Sequence, residues 1–156
     1  MVQSVIEPAE RDEQQIARTM IHNMPSRTPD PILDVLAATA RATPGLDLLI
    51  LFGSRARGSV RTGADWDFGY LADEAADVPA LLAALVEALH DDRVDLVDLR
   101  RASGLLRYRA ACDARLVHES TADLFDSYRL EAARFWCDNA PIFKPGYDEI
   151  LESLRP

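Results

Sequence analysis

Two short stretches carry most of the chemistry in this chain. The first is Leu51-Phe52-Gly53-Ser54-Arg55-Ala56-Arg57-Gly58, and the second is Asp65-Trp66-Asp67. Glycine lets a backbone come close to a ligand. Backbone amides exposed at the start of a helical turn favour an anion, and the Ser54 hydroxyl adds a donor. Arg57, three residues past Ser54, can meet a phosphate with a two-pronged guanidinium. Together these residue types describe a triphosphate cradle. It is not a Walker loop, because no G-x-x-x-x-G-K-[ST] run occurs in the chain.

Asp65 and Asp67 are two positions apart, so on a strand they share one face, while Trp66, Phe68 and Tyr70 take the other. Two neighbouring carboxylates repel unless a cation sits between them. Aspartate oxygens completed by substrate phosphates are an ordinary arrangement for Mg²⁺. A third acid in the next apolar stretch, Val94-Asp95-Leu96-Val97-Asp98-Leu99, could complete a two-metal site. Asp95 is favoured by its strand position, and Asp98 competes with the opposite strand parity. An Asp-x-Asp pair by itself is more often a solvated strand edge than a metal site. The joint pattern, Gly-Ser, ten residues, then Asp-x-Asp, is far rarer. With 7 Gly, 8 Ser and 17 Asp in 156 residues, chance yields it in about four of every thousand chains of this composition.

The elements that must position these residues follow from periodicity and punctuation. Residues 8–24 read as a helix, broken by the proline-rich stretch 25–31. A second helix starts with Asp30 as its N-cap and Pro31 in the first turn, with Ile32, Val35, Leu36 and Ala40 as its apolar face. Leu48 to Phe52 reads as a strand apolar on both sides, hence central. Strands over Asp65–Leu71 and Val94–Leu99 flank a helix capped by Asp77. A helix over 102–112 and a short strand Arg115–His118 follow. A long helix begins near Ser120, and a separate short helix covers roughly 146–154. The expected fold is α/β (α+β): a small mixed sheet flanked by helices, forming one domain over 1–156 with its motif core at about 48–99.

Composition narrows the possible roles. One domain suits 156 residues. The longest apolar run, Ala80 to Val86, is too short to span a bilayer, and the start has no secretion-type pattern, so a cytoplasmic protein is expected. With 26 acidic and 17 basic residues the net charge is −9. That disfavours a plain nucleic-acid module, which grips phosphates through a basic surface. Cys112 and Cys137 stand alone, without zinc-type spacing. Arg55 and Arg61 either steer a triphosphate or sit in water. Tyr108, Tyr128, Phe135 and Trp136 suit helix packing better than base stacking.

Gly53-Ser54-x10-Asp65-x-Asp67 resembles the nucleotidyltransferase signature of the DNA polymerase β-like superfamily. The small size and the run Gly53-Ser54-Arg55-Ala56-Arg57-Gly58 resemble the minimal nucleotidyltransferases, a group that includes the MntA-type antitoxins encoded beside HEPN-domain toxins. The resemblance covers about a third of the chain. It implies a polymerase β-like fold, with Gly53 and Ser54 binding the nucleotide, to which the residue chemistry adds Arg57, and with Asp65, Asp67 and Asp95 as catalytic and metal-binding carboxylates. It also implies two Mg²⁺ ions, ATP as substrate and transfer of AMP to a hydroxyl, in this group a tyrosine of a HEPN ribonuclease toxin. The alternatives are a small-molecule nucleotidyltransferase of the aminoglycoside type, and an antitoxin that neutralises its partner by binding alone. The family often has Ser before the first Asp, where Ala64 stands here.

Overall fold

The computed structural model describes residues 30–58 and 63–153. The expected helix over 8–24 and Arg61 lie outside them. Helix α1, Pro31–Arg41, begins as its sequence requires. Extended Asp30 accepts a hydrogen bond from the Ile32 amide at 3.2 Å, with proline in the first turn. Leu36 and Ala40 are fully buried, and Ile32, Leu33 and Ala37 pack beside them. Val35, expected on that face, is instead 48% exposed. The stripe that α1 buries passes through Leu33 and Ala37, which carries Val35 round to its edge.

Strand β1, Leu46–Phe52, runs through the middle of a four-stranded sheet whose order is β3-β2-β1-β4. It pairs antiparallel with β2, Trp66–Ala72, and with β4, Arg115–Glu119. Strand β3, Val94–Asp98, lies parallel to β2 at one edge. A parallel neighbour demands a crossover, and helix α3, Val78–Leu89, provides it. Asp77 caps α3 by accepting from the Ala80 amide at 3.0 Å, and His90 closes the helix in a left-handed conformation.

Both faces of the sheet are covered, which explains the unbroken apolar run of β1. On one face Leu46, Leu49, Leu51 and Phe68 meet Leu36, Ala40, Leu81 and Leu85 from α1 and α3. On the other, Leu48, Ile50 and Phe52 meet helices α4, Gly104–Asp113, and α5, Leu124–Ser153, through Ala110, Ala111, Phe125, Tyr128 and Ala132. The Tyr128 hydroxyl donates to the Arg107 carbonyl at 3.1 Å, and Tyr108 stacks on Trp136 at 5.6 Å. These aromatics pack helices together, as expected.

Both ends of the last helix differ from expectation. The last helix starts at Leu124 because Asp123 is left-handed and the Glu119 carboxylate, rather than Ser120, accepts from the Phe125 amide at 3.0 Å. It then runs as one helix to Ser153, through Pro141 and Pro145, where two helices were expected. A proline removes one N–H and can kink a helix without ending it. Among the described residues no helix is long and apolar enough to cross a membrane.

Candidate active site

The C-terminal end of β1 and the starts of β2 and β3 converge at one end of the sheet. Register creates this convergence. Phe52 pairs with Asp67 across the antiparallel β1–β2 ladder, and Asp67 pairs with Asp95 across the parallel β2–β3 ladder. Paired residues project to the same face, so the carboxylates of Asp67 and Asp95 are side by side. Asp98, three positions later, pairs with Tyr70 and takes the other parity. Its Oδ1 accepts from the Arg100 amide at 2.9 Å, which makes it a turn-forming residue. Asp65 lies one residue ahead of β2, where the sequence had put it inside the strand.

Gly53 opens helix α2, the four-residue turn Gly53–Ala56 that carries Ser54. Its φ is +76°, and a Cβ there would fall 2.2 Å from Asp67 Oδ2 and 3.0 Å from its Cγ. Glycine is therefore needed twice over, for the backbone conformation and for the approach to the carboxylate. The absent side chain brings the Gly53-Ser54 turn directly against the acid.

Electrostatics mark the same spot. The Asp67 carboxyl is pushed above its ordinary value, first by burial, then by the charges of Asp95 and Asp65, with Arg57 opposing. Two of the predicted acids thus act on the third, and a cation would relieve the cost of charging Asp67 beside them. The donors are hard oxygens, the chemistry Mg²⁺ prefers. Among the described residues no three His, Cys, Asp or Glu side chains form a ready-made metal cage. The fit is thus to an ion held by one or two carboxylates and shared with substrate phosphates, the usual habit of Mg²⁺.

The arginines divide. Arg57 donates from Nη1 to Asp113 Oδ2 at 2.5 Å with its side chain 48% exposed. Such an exposed pair is worth about 0–1 kcal/mol, so a phosphate can compete for the guanidinium. Arg55 does not sit in water. It is largely buried, gripping the Ala64 and Asp65 carbonyls and Asp91. Nothing local in the sequence marks this role, because its partners are nine or more positions away.

The sheet order, the Gly-Ser turn and the acids opposite it define a nucleotidyltransferase. A family profile described as polymerase beta, nucleotidyltransferase, matches residues 35–123, and the chain belongs to that family. It is similar to the protein adenylyltransferase MntA of Aphanizomenon flos-aquae (strain 2012/KM1/D3), with 32% identity over 99 residues, covering 55% of this chain. The match spans 65% of that relative, just under two thirds of its length. A crystal structure of a toxin–antitoxin with AMP-PNP matches with a TM-score of 0.64 and 26% identity, covering 76% of this chain and 98% of that one. A structure of a tri-AMPylated Shewanella oneidensis HEPN toxin in complex with its MNT antitoxin shares the fold, with a TM-score of 0.52 and 23% identity, covering 92% of this chain and 98% of that one.

Proposed function

We propose that this chain is an antitoxin that transfers AMP from ATP to a hydroxyl, a tyrosine's in this reading, of a cognate HEPN ribonuclease toxin and so silences it. One observation carries the reading: two strand registers and the missing Cβ of Gly53 set the Gly-Ser turn against Asp67, with Asp95 alongside. The relative named as a protein adenylyltransferase and the toxin–antitoxin structure with an ATP analogue support the donor and the class of acceptor. A net charge of −9 suits docking on a basic, RNA-cleaving partner.

In this reading Gly53 and Ser54 bind the phosphates, Gly53 by close backbone approach and Ser54 through its hydroxyl. Arg57 exchanges its Asp113 contact for a phosphate oxygen. Asp65, Asp67 and Asp95 would hold the metal between them, one or two carboxylates to each ion, with substrate phosphates completing the shell. Two bound magnesium ions would supply Lewis acidity, lowering the pKa of the attacking hydroxyl and neutralising charge on the leaving group. The acceptor oxygen bonds to the α-phosphorus, the bond from that phosphorus to the bridging oxygen breaks, and pyrophosphate departs. Asp95 takes the hydroxyl proton.

The test is to incubate the protein with ATP, Mg²⁺ and the product of its neighbouring gene. A gain of AMP mass on that partner, lost with Asp65→Asn, is the expected result. Full neutralisation of the partner by Asp65→Asn, without added mass, would replace transfer by binding alone.

A further inference from the structure

Arg55 stands one residue past Ser54 on α2, yet its bonds run to the other half of the site. Its Nε donates to the Ala64 carbonyl at 2.9 Å and to the Asp65 carbonyl at 3.2 Å, and its Nη2 donates to the Ala64 carbonyl at 2.5 Å. The same Nη2 pairs with Asp91 Oδ2 at 3.4 Å, and the guanidinium carbon lies 4.1 Å from the centre of the Trp66 ring. Both members of the ion pair are mostly buried, at 15% and 17% exposure. Asp91 is itself gripped by Arg93, which donates from Nε and Nη2 at 3.0 Å each and from its amide at 3.1 Å. The Arg93 carbonyl accepts from the Trp66 amide at 2.9 Å.

The segment 64–66 is therefore clamped from two sides. Arg55 holds its carbonyls, and Arg93 holds its next amide. Among the described ladder pairs none includes Asp65, because β2 begins only at Trp66. A planar guanidinium that donates to two successive carbonyls, stacks on an indole and keeps a partly covered counter-ion is pre-organised in a way a lysine cannot reproduce. The hydrogen bonds of Arg55 tie the helix carrying Ser54 to the carbonyls of Ala64 and Asp65.

We propose that Arg55 is a positioning residue: it locks the start of β2 to the Gly-Ser turn, so that the Asp65 carboxylate and the phosphate-binding turn keep one fixed separation. This rests on the site reading given under Proposed function. Asp91 and Arg93 complete the clamp from the β3 side. Misplacing a reacting group by about 1 Å costs about a hundredfold in rate, which sets the scale of the effect.

The experiment compares the full-length protein with Arg55→Met, Arg55→Lys and Asp67→Asn. Methionine keeps the apolar stem over Trp66 and removes the donors. Four quantities are read: the melting temperature, hydrogen exchange at the Trp66 amide, the Mg²⁺ concentration that half-saturates transfer, and KM against kcat for the partner protein. For Arg55→Met we expect a folded protein whose Trp66 amide exchanges at least about tenfold faster. Its half-saturating Mg²⁺ should rise severalfold and kcat should fall by about ten- to a hundredfold, with KM for the partner unchanged. Arg55→Lys, which can still donate to the Ala64 carbonyl, should fall between the two. If Arg55→Met does not fold, Arg55→Gln takes its place with the same readouts. A folded variant that keeps parental Trp66 protection and parental Mg²⁺ dependence overturns the role of Arg55, provided Asp67→Asn is inactive. Full transfer by Asp67→Asn would remove the site reading itself, and this inference with it.

Discussion

Replacing Gly53 by alanine tests the geometry at its tightest point. Two costs add. At φ +76° an L side chain pays about 1–2 kcal/mol for the left-handed conformation. The new methyl would also lie 2.2 Å from Asp67 Oδ2, about 1 Å or more inside a normal contact. Relief comes from moving either the Asp67 carboxylate or the turn that bears Ser54, and both belong to the candidate site. For a chain of this length each kcal/mol shifts the melting temperature by about 2–4 °C, so the backbone cost alone should lower it by about 2–8 °C. A displacement of about 1 Å should cost about a hundredfold in the rate of AMP transfer. Gly58→Ala is the matched control. Its φ is +72°, and among the described residues nothing lies within 4 Å of the position a Cβ would take. It should lose comparable stability and keep most of its activity. Thermal melts and mass-resolved transfer assays on both variants read the two effects separately. Parental turnover in Gly53→Ala, or equal loss of turnover in both variants, would refute the argument that the Gly53 approach to Asp67 builds the site.

Three further outcomes follow from the same geometry. The folded-state pKa of Asp67 is raised from 3.8; its penalty is absent below that unfolded value and is felt as pH rises through the folded one, so stability is lost on the alkaline side. Asp67→Asn should therefore melt higher than the parent at neutral pH while abolishing transfer, as differential scanning calorimetry and the transfer assay will show. In the metal-free protein the Asp67 carboxyl should titrate by NMR with a midpoint above 3.8, the ordinary Asp value; a midpoint at or below it would contradict the crowding of the acids around it. Asp95→Asn should eliminate transfer, whereas Asp98→Asn should weaken one turn hydrogen bond, at 2.9 Å to the Arg100 amide, at about 0.5–1.5 kcal/mol, and leave the rate near parental in the same assay.

Much of this protein is legible in the chain itself, where the signal is local. The Asp30 and Asp77 caps, the two-sided apolar run of β1 and the alternation of β2 each depend on neighbours a few positions away, and composition and periodicity report such neighbours directly. The Gly53-Ser54 and Asp65-x-Asp67 spacing is local in the same sense, so the class of chemistry could be read before any fold was known. Folding alone decided which distant residues meet. The choice of Asp95 over Asp98 beside Asp67 is a matter of strand register, and shifting register by one residue would turn every side chain to the other face. The contact of Gly53 with Asp67, the pairing of Arg57 with Asp113 and the clamp of Arg55 on Ala64 and Asp65 join segments separated by loops and strands. No sequence period encodes such contacts, because they arise only when both faces of the sheet are covered and the ladder can pair in a single way.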